Sequence, residues 1–446
     1  MLNTLNDVLN NVDNFIWGMP LIILILFTGI LLTVRLRGLQ IRHLGKALHY
    51  VFHNEDDGEG EVTSFGALCT ALSATIGTGN IVGCATAIVA GGPGALFWMW
   101  LAAFFGMATK YAEGMLAVKY RVIAEDGHAL GGPFYYIEKG MGKNFKWLAK
   151  LFCVFGTMVG LFGIGTFTQV NGITSAVNNF FDPSNVHTIS LFGMNYSISV
   201  VVAGIIVTIC AGLVIIGGIK RISKVSEVIV PFMAVTYIGV CLIIVFTHLP
   251  QVPAAFAEIV QSAFGLKAVA GGAIGAMTVA MQKGIARGIF SNEAGLGSAP
   301  IAAAAAQTNE PVRQGLVSMT GTFIDTIIVC TMTGLAIVMT GAWDMGLEGV
   351  AVTTKAFALG LPFPAQVSAF ILMMCLVFFA FTTILGWAYY SERCLEYLVN
   401  GKKFVITVFK WLYILAVFIG PFMTVSAVWT IADICNGLMA FPNLVA

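Results

Sequence analysis

The chain has 446 residues, of which 58% are hydrophobic and 10% charged, and its net charge is +1. Soluble domains carry roughly a quarter charged residues, so an ordinary soluble fold is excluded, and a near-zero net charge argues against a nucleic-acid partner. What remains is an all-α polytopic membrane protein, and its 50 Gly and 33 Phe suit closely packed helices in lipid.

A membrane helix needs about 20 mostly apolar residues. Eleven segments qualify, at about 17–34, 64–91, 94–118, 147–179, 196–217, 225–247, 268–306, 315–341, 364–392, 404–421 and 424–444. The first follows an acidic stretch without Lys or Arg, the wrong polarity for a cleavable signal, and reads as a retained helix. The last is interrupted by Asp433 and Asn436.

Lys and Arg set the orientation. Eighteen of them, including Arg35, Arg37, Arg121, Lys143, Lys220, Arg221 and Lys402, fall in alternate loops, whereas the opposite loops hold only Lys267 and Lys355. The positive-inside rule therefore predicts the N-terminus outside and the C-terminus inside. With residues 1–63 set aside as an extra helix and its cytoplasmic loop, the remaining spans form two sets of five, 64–247 and 268–446. The first set begins running outward and the second inward, so they predict an inverted repeat.

Each set opens on a span broken by polar and glycine residues. The first reads Gly77-Thr78-Gly79-Asn80, and the second runs from Gly284 through Arg287, Phe290, Ser291, Asn292, Glu293 and Gly295 to Pro300. Every backbone N–H and C=O must be satisfied at membrane depth, so an unwound stretch survives only where it is buried or lines a cavity. Paired breaks of this kind point to a binding site. Free N–H groups near Asn80 would attract a carboxylate, and freed carbonyls around Ser73 to Ile76 are hard ligands for a small cation. Close helix packing is the competing reading of the first break, and two separate short spans that of the second.

In span nine, Thr383 and Trp387 lie four apart on one helix face, and Thr382 and Thr383 would suit sodium or simply bond their own preceding turn. Lys110 and Glu113 are placed to pair along span three. An intramembrane charge is a functional candidate by default, which draws attention to Glu293 and to Arg287, for which a structural ion pair holding the break open is the equal reading; Lys110, Glu113 and the isolated Asp325 read as structural or gating residues, and Gln169 and Asn171 sit late in span four. Nine scattered cysteines at no zinc or redox spacing read as small buried hydrophobes.

Thr75-Ile-Gly-Thr-Gly-Asn-Ile81, Gly91-Gly-Pro-Gly-Ala-Leu-Phe-Trp-Met-Trp100, the run from Arg287 to Pro300 and Phe323-Ile-Asp-Thr326 resemble the alanine or glycine:cation symporters of prokaryotes, the sodium:alanine symporter family. The resemblance covers nearly the whole chain. It implies a LeuT-type fold with an added N-terminal helix, residence in the prokaryotic plasma membrane, and sodium-coupled import of small neutral amino acids by alternating access. Alanine or glycine, sodium ion and the bilayer are then the partners, with no enzyme activity, organic cofactor or obligate protein partner.

By the same resemblance Thr78, Gly79 and Asn80 bind the substrate carboxylate, and Phe290, Ser291 and Asn292 offer carbonyls to its ammonium. Gln169, Thr383 and Trp387 close the pocket. Sodium is placed between the carbonyls of Ser73 and Ile76 and the hydroxyls of Thr382 and Thr383, with a second ion near Thr75 and Asn80. The alternative is proton coupling through Glu293 or Asp325. A channel would use the breaks as a filter, and an integral membrane enzyme lacks a nucleophile and base in this sequence.

Overall fold

The structure is a computed structural model and describes residues 2–53, 58–124, 127–191, 194–266, 272–423 and 426–446. Helix occupies the apolar segments. Among the described residues, seven helical stretches are long and apolar enough to cross a membrane: Asn6–Arg35, Lys143–Phe181, Ile198–Ile215, Gly218–Thr247, Pro311–Thr340, Ala365–Leu398 and Lys403–Phe422. An eighth span is a bent pair, Ser64–Thr75 and Gly79–Gly91, with 52° between its halves.

Among the described residues, eight spans are thus long and apolar enough where eleven were expected. The other three segments are helical, at Gly94–Lys119, Ala273–Asn292 followed by Ala299–Ala303, and Ser426–Val445. Polar residues dilute them: Lys110 and Glu113 lie in the first, Lys283 and Arg287 in the second, Asp433 and Asn436 in the third. Lys267 and the expected span starts at 268–271 and 424–425 lie outside the described residues.

Some elements were not foreseen. A helix at Leu2–Ile16 precedes helix Met19–Arg35, and Trp17 Nε1 between them donates to Asp433 O at 3.0 Å. The connections carry short helices at Val252–Ala263 and Val350–Gly360. Two antiparallel ladders, Val122–Ile123 with Ala129–Leu130 and Thr188–Leu191 with Met194–Ser197, make the chain mostly rather than wholly helical.

Small residues set the closest approaches, as expected where no hydrophobic effect drives helices together. A Cβ on Gly284 would stand 2.2 Å from Ala95 O, so Ala273–Asn292 lies directly against Gly94–Lys119. A Cβ on Gly386 would stand 2.7 Å from Ala74 N, which seats Ala365–Leu398 on the first half of the bent pair. Outward-facing Phe232, Val235 and Phe404 remain exposed, the apolar exterior that a lipid solvent requires. Eight cysteines are buried and free; the ninth, Cys210, is exposed, contrary to expectation.

Candidate substrate site at the two helix breaks

Helix Ser64–Thr75 stops before Ile76, and the chain re-enters helix through a π-helical turn at Gly79–Gly83. Asn80 Oδ1 accepts the Gly77 N–H at 2.9 Å and so satisfies part of the unwound backbone. The second helix ends at Asn292 because Glu293 adopts a left-handed conformation, φ 56°, and Asn292 Oδ1 caps the Ala294 N–H at 2.9 Å. A left-handed residue with a long side chain is uncommon and marks a held conformation. The breaks face each other closely: a Cβ on Gly79 would stand 3.4 Å from Ser291 Cα and 3.7 Å from Phe290 Cδ1.

Asp325 joins them. Its carboxylate accepts Asn80 Nδ2 at 2.7 Å from the first break, Ser291 Oγ at 3.0 Å from the second, and Thr326 Oγ1 at 2.7 Å. It lies in a π-helical stretch, Phe323–Cys330, and is fully buried. Neighbouring Thr326 Oγ1 accepts Asn292 Nδ2 at 3.0 Å. Such a turn inserts an extra residue into the helix and frequently marks a functional site.

A second set of polar contacts holds the far side of the second break. Glu293 Oε1 accepts Trp387 Nε1 at 3.0 Å, and its other oxygen accepts the Ser298 hydroxyl. Glu113 Oε1 accepts the Gly295 N–H at 3.1 Å and Asn443 Nδ2 at 2.7 Å. The hydrogen bonds of Glu113 thus go to the break and to helix Ser426–Val445 rather than along its own helix to Lys110. Arg287 stacks its guanidinium over the Phe290 ring, 5.6 Å from the centroid, and makes no ion pair with Glu293.

A cavity of about 360 Å³ follows the Gly79–Gly91 half of the first helix and the Phe290 end of the second. Thr78, Gly79 and Phe290 are the predicted residues that line it, joined by Thr168, Asn171, Ser175, Arg287 and Asp433. Asn80, Gln169, Ser291, Asn292, Thr383 and Trp387 are buried around this cavity without lining it. For Asn80 and Ser291 the reason is Asp325, which claims their side chains; for Trp387 it is Glu293.

The expected sodium ligands also divide. An ideal Cβ on Gly77 would stand 2.5 Å from Thr383 Oγ1 and 3.6 Å from Gln169 Oε1, and that amide oxygen is buried without a hydrogen-bond partner. Two side-chain oxygens therefore converge on the unwound backbone between Ser73 and Asn80, one of them unsatisfied. Ser73 and Ile76 are fully buried there. The Thr382 hydroxyl lies 3.5 Å from Met233 Sδ and donates to Phe379 O at 3.0 Å, the carbonyl to which Thr383 Oγ1 also donates at 3.0 Å. At the expected second ion, Thr75 Oγ1 donates to Ala71 O at 3.2 Å and Asn80 Nδ2 to Asp325 at 2.7 Å.

The sequence had singled out Asp325, Asn171 and Asp433 as polar interruptions of apolar runs. What it missed is their position: Asp325 as the junction between breaks, the other two on the cavity wall.

Two unwound helices meeting at a central cavity in a multi-pass membrane protein define a transporter rather than an enzyme. The chain belongs to the sodium:alanine symporter family, whose profile matches residues 2–446. Among curated relatives, an uncharacterized transporter of Haemophilus influenzae is 56% identical over 445 residues, covering 99% of this chain and 93% of that one. The sodium/alanine symporter AgcS of Methanococcus maripaludis is 45% identical over 447 residues, covering 98% and 93% respectively. Among solved structures, MhsT in complex with L-phenylalanine superposes with a TM-score of 0.59 at 12% identity, over 86% of this chain and 89% of that one. At that identity the likeness concerns the fold, which is of the LeuT type.

Proposed function

We propose that this protein imports alanine or glycine together with sodium by alternating access, with residues 64–247 and 268–446 as inverted five-helix repeats and residues 1–63 as an addition. The observation that carries the reading is the cavity between the breaks, where Thr78, Gly79 and Phe290 meet. Backbone N–H groups at the start of Gly79–Gly83 would receive the carboxylate, and the carbonyl end of Ala273–Asn292 the ammonium, as opposed helix ends of a divided site do. Phe290 would exclude larger side chains. Sodium would bind beside Gly77, where Thr383 Oγ1 and Gln169 Oε1 converge. Family membership supports sodium as the coupling ion. The positive-inside rule turns the cavity outward and the C-terminus to the cytoplasm.

One sodium ion crossing about 100 mV supplies roughly 2.3 kcal/mol, and a tenfold gradient adds about 1.4 kcal/mol, enough for accumulation of a few hundred-fold. The test is uptake of radiolabelled alanine and glycine into proteoliposomes with sodium, lithium, potassium or proton gradients imposed in turn. Saturable, sodium-driven uptake is expected. Uptake that ignores sodium and follows a pH gradient would transfer the coupling to Glu293 or Asp325, and no uptake under any gradient would overturn the reading.

A further inference from the structure

On the side opposite the cavity, the segment that leads into the first broken helix lies beside the segment that leaves the second. Val62 and Ala306 form a parallel bridge. The N–H groups of Glu61 and Val62 donate to Ala305 O at 2.8 and 3.1 Å, and Gln307 N–H donates to Val62 O at 2.7 Å. The backbones touch: a Cβ on Gly58 would fall 2.3 Å from Thr308 N, and one on Gly60 2.4 Å from Ala306 O. Gly60 also has φ 145°, a conformation that favours glycine.

Arg121, just beyond helix Gly94–Lys119, enters this seam. Its Nη1 donates to Ala304 O at 3.0 Å and Ala306 O at 2.7 Å, while Nη2 donates to Glu59 O at 2.6 Å and Thr308 O at 2.7 Å. One guanidinium thus serves four carbonyls, from both segments. The rigid fork of arginine donors can span that set, whereas a lysine ammonium has three donors at one point. Glu61 fastens the seam to the following loop, its carboxylate accepting the Ala129 N–H at 3.1 Å and lying 2.7 Å from His128 Nδ1. Between seam and breaks lies a void of about 10 Å³ lined by residues that include Thr75, Lys110, Asn292 and Ala303. That volume holds one water molecule at most and no amino acid.

We propose that Arg121 is the gating residue of this face: its guanidinium clamps the entry of the first broken helix to the exit of the second, and its release opens the route from the breaks. The proposal rests on the alternating-access reading. Opening this side requires Ser64–Thr75 and Ala299–Ala303 to part, and they are continuous with the two clamped segments. Every acceptor is a backbone carbonyl, so water can replace the protein partner bond for bond. The clamp is therefore a reversible closure, where an anhydrous ion pair would be costly to break.

The experiment places a reporter cysteine at the void, Ala303→Cys, in a chain whose exposed thiol is removed by Cys210→Ala. Its reaction with a membrane-impermeant thiol reagent is followed from the seam side in vesicles, in sodium alone and in sodium with alanine. The parent should react slowly in sodium and faster when alanine is added. Arg121→Gln should react at least fivefold faster in sodium alone, with Arg121→Lys between it and the parent. Gly60→Val, which keeps the guanidinium but displaces the Ala306 carbonyl that it clamps, should reproduce the gain and decides the matter if Arg121→Gln does not fold. Parent-like rates, within twofold, in the folded variants would overturn the clamp. A parent that reacts equally with and without alanine would overturn alternating access instead, so the two failures are distinguishable.

Discussion

Replacing Asp325 with Asn should loosen the two breaks from each other. The carboxylate accepts three hydrogen bonds, from Asn80 at 2.7 Å, Ser291 at 3.0 Å and Thr326 at 2.7 Å. An Asn amide keeps one acceptor oxygen, and its NH₂ group faces either the Asn80 amide nitrogen, which cannot accept, or the Ser291 and Thr326 hydroxyls, which must turn from donating to accepting. Bonds between helices in lipid average about 0.6 kcal/mol and reach about 1.7, whereas bonds to a charged group contribute about 1.5–3 kcal/mol. Weakening those to Asn80 and Ser291 should then cost about 2–3 kcal/mol in all, since two bonds to one carboxylate do not add independently.

Asn80 and Ser291 lie on opposite breaks, so the loss falls on the relative position of Gly79 and Phe290. If all of it appears in binding, the Kd for alanine rises by roughly 30- to 150-fold, at a factor of ten per 1.4 kcal/mol. The assay is sodium-dependent binding of labelled alanine to the purified protein, beside its melting temperature. A Kd within threefold of the parent, with unchanged melting, would refute the role of Asp325 as the junction.

Three further substitutions separate the roles of neighbouring groups. Gly77→Ala puts a methyl group 2.5 Å from Thr383 Oγ1, and it should raise the sodium concentration for half-maximal uptake at least tenfold; an unchanged sodium dependence would move the ion elsewhere. Trp387→Phe removes the indole N–H from Glu293 and should cost about 1–3 kcal/mol of stability, because a buried carboxylate loses a donor. Thermal unfolding reads that loss, while competition by larger amino acids should stay as in the parent; broadened selectivity would place Trp387 on the cavity wall. Phe290→Ala removes a ring from the cavity lining, so valine and leucine should begin to compete with alanine for uptake, and continued exclusion of both would show that another group sets the size limit.

The two breaks were legible in the sequence because lipid tolerates no unsatisfied backbone, and runs such as Gly77 to Asn80 and Ser291 to Gly295 cannot remain regular helix facing it. Glu293 shows where that legibility ends. Its charge marked it as functional, but only the fold shows its carboxylate bound to Trp387 and Ser298, out of the cavity. Thr382 and Thr383 were equivalent as letters, and only the fold places the Thr383 hydroxyl beside Gly77. Arg121 had figured only as one positive charge among eighteen, since its four acceptors are backbone carbonyls and carry no side-chain signature.

The sequence by itself determined the class of environment, the positions of the helical segments, the two breaks and the family, because each depends on local composition or on long exact runs. The tertiary structure decided which polar groups face the cavity and which hold its walls. That division depends on distances between residues as far apart as Asn80 and Asp325 or Glu293 and Trp387. A buried polar side chain takes whichever partner the packing brings near, and the packing is a property of all the helices together.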